Sequence, residues 1–415
     1  MAEQAIWGQT YKVMLDTGLT TTAFILGTST LGGSDVLNGN VEFADVTEWV
    51  TNVNIRRGRP DPLASMSVGQ ASIVLDDRAA ARAFDPANTA SPYFQGGYGI
   101  APMRYVQIYG GTAGNEPLFI GRISDVDIQY EQPNQSFAFI SCVDDLAQLA
   151  RTNLTAFNPS SQLTSARISA ILDRPEVAYS TATRSIATGV ATLGTVAYDA
   201  NDNVKSAIDA VVTAEDGRFY ISRGGTATFQ ARTANIFGTA VITFADDGVN
   251  YPYQGLSVGY GAETLYNRIQ VEVEGLSVAT AVGTASIAEF GVQTLALNAV
   301  PLVDMAAGTA LANQLLGRYE DPQFRFDELQ LTLNGLTAVQ AQQVSTLDIG
   351  SIVNVRKTYT TGSPMQVAQD VAVESIAHNI TPNTHTVTLR LSQTSLKTQF
   401  ILNTSTLNDV TVGLA

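Results

Sequence analysis

Cysteine, histidine and lysine are nearly missing from these 415 residues, and each shortage removes a class of function. Cys142 is the only cysteine, so the chain has no disulfide framework and no multi-thiol metal site. The only histidines, His378 and His385, flank one turn signal, and no third ligand lies near them in sequence. That excludes a zinc site of the usual kind. If Ile380 pairs with His385, then His378 falls opposite Val387, and the two imidazoles are not directly adjacent. Lysine occurs at Lys12, Lys205, Lys357 and Lys397 only, against nineteen arginines, a bias consistent with GC-rich coding. Charged residues make up 15 %, well below the usual quarter, while the net charge is −15. Phosphate binding needs a basic face, so nucleic acid is excluded as a tight ligand. Long apolar runs are missing too. The least charged stretch, 292–311, contains Gln293, Asn298, Pro301 and Asp304, and the start, Met1 to Trp7, has no basic or apolar signal region. The expectation is a soluble protein made in the cytoplasm, with no stable membrane insertion.

Short alternating runs bounded by turn residues are what the sequence does have. In 268–274, Ile269, Val271 and Val273 share one face while Arg268, Gln270, Glu272 and Glu274 share the other. Ala71, Ile73 and Leu75 alternate in the same way, as do Val126, Ile128 and Tyr130 ahead of a hairpin partner at 137–142. A two-residue Gly224-Gly225 loop is expected to join Phe219–Arg223 to Thr226–Gln230. Pro382 and Asn383 suit a turn between 371–380 and 385–391. Helices are expected over 144–151, 165–173, 204–214, 303–319 and 337–347, with Asp202 or Asn203 capping the third. The fold class is therefore mainly β, of the α+β kind. The expected domains are 1–150, strand-rich; 151–240, small and mixed α+β; and 241–395, strand-rich again, followed by a polar tail over 396–415. No fixed-period repeat occurs, which disfavours solenoids and propellers.

Catalytic constellations are hard to find. The chain has no Gly-x-Ser-x-Gly and no His-Glu-x-x-His, and Gly96, Gly97 and Gly99 precede no Walker lysine. Cys142, in an apolar strand without a basic neighbour, reads as a small hydrophobe. Asp199-Ala-Asn-Asp-Asn203 matches the start of a calcium loop, then fails at Val204 and Ala210, so a helix cap fits better. The acidic doublets 76–77, 144–145 and 246–247 read as turns and caps rather than as a facing catalytic pair. No enzyme activity, metal or cofactor is expected. One basic cluster, Arg56, Arg57 and Arg59, stands out in so acidic a chain. Two readings stay open for it: a solvated loop, or a subunit interface pairing with carboxylates of a neighbouring copy.

Several segments together resemble the tail hub family of long-tailed bacteriophages, whose members are often called minor tail proteins. They are Asp45-Val-Thr-Glu-Trp-Val50 leading into Arg57-Gly-Arg59, then 68–75, Phe84-Asp-Pro86, Ser91-Pro-Tyr93, Pro102-Met-Arg104 and 118–125. Farther on come Asp216-Gly-Arg-Phe-Tyr220, Leu265-Tyr-Asn-Arg268, Leu347-Asp-Ile-Gly350 and 373–380. Their order and spacing from about 45 to 391 carry the resemblance, and no catalytic residues come with it. The resemblance implies that 1–150 and 241–395 are tail-tube-like β-sandwich or barrel domains around the smaller mixed one. It also implies a homotrimeric ring at the virion tail tip that closes the tube and starts its assembly. The implied partners are a distal tail protein, a tape measure protein, and tail fibres or receptor-binding proteins, with DNA only as passing cargo. Some relatives append a peptidoglycan-cleaving domain, and this chain is expected to lack it. An acidic lumen would repel phosphate over about 8–10 Å.

Three other readings remain. A distal tail ring protein would form a hexamer. A secreted β-sandwich glycan hydrolase would show a signal peptide and facing carboxylates. A sugar-binding adhesin draws little support from its two tryptophans, Trp7 and Trp49.

Overall fold

A computed structural model describes residues 8–21, 40–94, 99–132, 135–234 and 238–394, with residue 30 and the short pieces 398–399 and 412–413. Trp7, Gly96, Gly97, Lys397 and most of the 396–415 tail lie outside the described residues. The chain is mainly β, as its alternating runs predict. Among the described residues, one thirteen-stranded sheet draws on both ends of the sequence. Eight of its strands lie side by side in the order Gly255–Gly259, Arg325–Thr332, His385–Gln393, Gln366–Ile380, Val50–Gly58, Ser67–Asp76, Gln135–Val143 and Glu116–Glu131. Every neighbouring pair along this path is antiparallel.

The two halves are built alike, each around one long strand that serves two layers. In Glu116–Glu131, residues 122–131 pair with Gln135–Val143, while residues 116–122 pair with Tyr105–Gly110. That second layer continues through Lys12–Thr21 to Asn40–Asp45. In Gln366–Ile380, residues 366–372 pair with Ile352–Thr358 and residues 375–380 with Val50–Gly58. Each half packs its own core between its layers. Leu15, Val106 and Ile108 meet Ile55, Ile73 and Ile140 in the first. Phe244, Val353 and Val355 meet Leu329, Ile376 and Leu389 in the second. The sheet stays open within one chain and does not close into a barrel.

A third core belongs to the central unit. The helices Thr164–Leu172, Val204–Glu215 and Met305–Tyr319 contribute Ile168, Ile208 and Leu311 to it, and the Arg268–Val273 strand adds Ile269 and Val271. Residues 265–319, counted with the C-terminal β region on sequence, thus share a core with the middle one. The expected helices start and stop within two residues of their sequence signals, and Asn203 caps the Val204–Glu215 helix by accepting from the Ser206 N–H. The Thr284–Phe290 helix lacks a side-chain cap and was not anticipated. The Gly-Gly hairpin also differs. Ile221 pairs with Ala227, and the Ser222–Thr226 pair closes around Arg223, Gly224 and Gly225. This is a three-residue loop, with Gly225 at φ +78°.

Candidate assembly surface

Side chains alternate between the faces of a strand, so cross-strand register turns the eight-stranded path into rows. One row runs Thr332, Thr386, Asn379, Asn54, Ser72, Ser141, Asp125 across seven strands, small and polar throughout and exposed or half-buried. The next row runs Leu331, Val387, His378, Ile55, Ala71, Cys142, Ile123, and every member is buried. Cys142 is accounted for by its row: burial pushes its thiol pKa up to about 12. The polar face is concave and holds a groove of about 790 Å³ over the seam between Val50–Gly58 and Gln366–Ile380. Arg56 is the one arginine lining that groove. Asp125 and Asp127 lie exposed on the outermost strand.

At the seam lies the arginine cluster, at the end of the strand Val50–Gly58. Arg57 and Arg59 are buried, and both pair with carboxylates of their own chain. Arg57 Nη1 lies 2.7 Å from Asp348 Oδ1, and Arg59 Nε lies 2.7 Å from Glu374 Oε2. Arg218 also engages Glu374, and Ser392 Oγ donates to Glu374 Oε1 at 2.5 Å. Only Arg56 projects into solvent. The physical reason is period two: Arg56 shares the polar face with Asn54, and Arg57 shares the inner face with Ile55. Glu374 turns inward because it is the extra residue of a β-bulge between Val373 and Ser375. Burial alone would raise its pKa, but the charges of Arg218 and Arg59 outweigh that and hold it well below the carboxylate range.

The knot joins all three units. Arg59 comes from the first, Arg218 from the central one, and Glu374 and Asp348 from the last. Arg223 reinforces it: its N–H donates to Asp348 Oδ2 at 3.0 Å, and its Nη1 donates to the Pro117 carbonyl at 2.7 Å. On the first unit, Asp144 accepts from Gly69 N–H and Leu146 N–H. Burial pushes the Asp144 pKa up to about 7 against the pull of those donors.

The histidines also depart from expectation. The register is the one anticipated, with Ile380 opposite His385 and His378 opposite Val387. Yet His378 Nδ1 and His385 Nε2 lie 3.0 Å apart, because diagonal partners in a hairpin are within reach of long side chains. His385 Nδ1 meets Tyr11 Oη at 2.7 Å. Burial lowers both imidazole pKa values, that of His385 to about 3. Among the described residues no group of three or more His, Cys, Asp or Glu side chains could hold a metal ion.

The acidic doublets serve turns, caps and ion pairs. Asp77 accepts from Phe84 N–H, Asp145 pairs with Arg122, Asp246 pairs with Lys357, and Asp247 accepts from Val249 N–H and Asn250 N–H. Trp49 is half-buried and packs edge-on against Phe84.

No family model matches the chain, and no curated protein matches its sequence. Solved structures do match its fold. A tail protein from Neisseria meningitidis MC58 superposes with TM-score 0.57 at 9 % identity, over 93 % of this chain and 97 % of that one. The 43 kDa tail protein of prophage MuSo2 from Shewanella oneidensis gives TM-score 0.55 at 12 % identity, over the same two shares. Over nearly its whole length this chain therefore has the fold of these two tail proteins.

Proposed function

We propose that this chain is the hub at the distal tip of a phage tail, where three copies form a ring around a channel. The observation that carries the reading is the unbroken eight-stranded sheet, polar on its concave face and apolar behind. Both of its outer edges are unpaired among the described residues. Gly255–Gly259 ends the path on one side, and residues 124–131 of Glu116–Glu131 end it on the other. Open edges invite pairing. An even number of antiparallel strands lets the first edge of one copy pair antiparallel with the last edge of the next. Repeated around an axis, that single heterologous contact closes a ring. The polar face then lines the lumen, where hydroxyls and amides, with Asp125 and Asp127 at each junction, surround the single groove arginine, Arg56, and offer DNA little basic grip.

In this role the protein is structural, without chemistry of its own. It caps the tube, nucleates tail assembly and carries a distal tail protein, the tape measure and the fibres or receptor-binding proteins. The fold shared with two tail proteins supports the tail assignment, and the paired halves support two tube-like domains per copy. The test is crosslinking in assembled tails. A Ser257→Cys, Asp127→Cys variant treated with a short bis-maleimide should yield covalent trimers on a denaturing gel. A ladder reaching six copies, or monomer alone, would overturn the ring of three. Clearing of cell-wall substrate by the purified protein would overturn the non-enzymatic reading.

A further inference from the structure

We propose that the strand Val278–Val282 is a docking edge for an extended segment of another protein, one with alternating apolar residues and basic flanks. This strand ends the small central sheet, whose order is Val278–Val282, Arg268–Val273, Thr294–Val300. Register shows which way its backbone points. Gly283 N–H donates to the Asn267 carbonyl, and Val273 N–H donates to the Ser277 carbonyl. The hydrogen-bonded pairs between these two are therefore Ile269 with Ala281 and Val271 with Ala279. The N–H and C=O groups of Val278, Thr280 and Val282 consequently point away from the sheet, and among the described residues no group bonds them. Their side chains are exposed as well, while Ala279 and Ala281 are buried beneath them.

Proteins blunt such edges with lysine, proline, a bulge or a covering loop. Among the described residues Val-Ala-Thr-Ala-Val has none of these, and exposed Leu276 adds apolar surface at one end. Strand addition is the binding mode this geometry fits, with main-chain bonds giving affinity and alternate side chains giving specificity. Charge sets the partner. Glu272, Glu274 and Glu289 are exposed around the edge against Arg268 alone, which favours basic flanks. A second copy would bring the same carboxylates and be repelled. The edge belongs to the central unit, so the proposal stands or falls independently of the ring.

The test uses the full chain and a fluorescein-labelled peptide, Lys-Val-Thr-Val-Thr-Val-Lys, read by anisotropy. Saturable binding is expected, weakened by added salt and absent for the same peptide N-methylated at alternate amides. Thr280→Pro removes only an outward N–H, so it should leave the melting temperature unchanged while weakening binding about tenfold or more. Val278→Lys, a change on the exposed face, should do the same. Binding that ignores Thr280→Pro, equal binding of the N-methylated peptide, or no saturation up to about 1 mM would overturn the proposal. So would a dimer of the chain that Thr280→Pro dissolves, since the edge would then serve self-pairing.

Discussion

Gly58 lies against Glu374: the Arg59 N–H donates to the Glu374 carbonyl at 3.0 Å, and Gly58 holds φ +108° beside that same oxygen. A Cβ at position 58 would overlap the Glu374 carbonyl. The bulge that turns the Glu374 carboxylate inward thus depends on a residue without a side chain on the facing strand. Gly58→Ala should therefore cost about 3 kcal/mol, from backbone strain and the clash together. Urea unfolding checks this, and a loss below about 0.5 kcal/mol would contradict it.

Adjacent arginines should behave oppositely. Arg56→Glu changes a solvated face and should alter stability by less than about 0.5 kcal/mol. Arg57→Glu sets a carboxylate beside Asp348 in a buried site and should cost about 3–5 kcal/mol. Glu374→Gln should cost a similar amount, about 3–5 kcal/mol, because it strands Arg59 and Arg218. Thermal melts of the three variants separate these outcomes, and an Arg57→Glu protein as stable as the wild type would refute the knot.

Acid should weaken the seam through two kinds of group. The imidazoles of His378 and His385 are kept neutral in the fold, whereas the unfolded chain takes up protons below about 6.5. Their contribution is full above that value and declines as pH falls, by about 1.4 kcal/mol per pH unit for each group. For His385 the decline runs on toward about 3. Glu374, lowered from its ordinary 4.5, adds a further loss below that pH. Asp144 acts in the opposite sense: raised to about 7, it favours the fold as pH falls from there toward 3.8. Comparing variants isolates the histidines. His378→Leu should be less stable at neutral pH, yet its stability should fall roughly half as steeply from the histidine term between pH 6 and 5. Equal slopes in urea melts at those two pH values would contradict the assignment.

The rows of the sheet were legible because period two is written locally. Ala71, Ile73 and Leu75 read as one face from the sequence alone, and so do Ile269, Val271 and Val273. Three helix starts followed their capping residues, Asn203, Asp304 and Thr337, for the same reason. The seam was not legible. Val53–Gly58 pairs with Ser375–Ile380 across most of the chain, and main-chain hydrogen bonds leave no mark on residue identity. The partners of Arg57 and Arg59 were not legible, because a buried guanidinium reads like a solvated one until its partner is known. One signal was present: Glu374 sits inside the unbroken buried run Val371–Ile376, and a charge there needs a counter-charge. Four of the segments that carried the family resemblance supply Arg57 and Arg59, Arg218, Asp348 and Glu374, and the fold brings them to one place.

Cryo-electron microscopy of the virion tail tip tests the hub reading most directly. The account predicts three copies around the tail axis, the polar row from Thr332 to Asp125 facing the lumen, and Gly255–Gly259 of each copy paired with residues 124–131 of the next. Six equivalent copies, a position on the capsid or along a fibre shaft, or a ring with that polar row turned outward would contradict it.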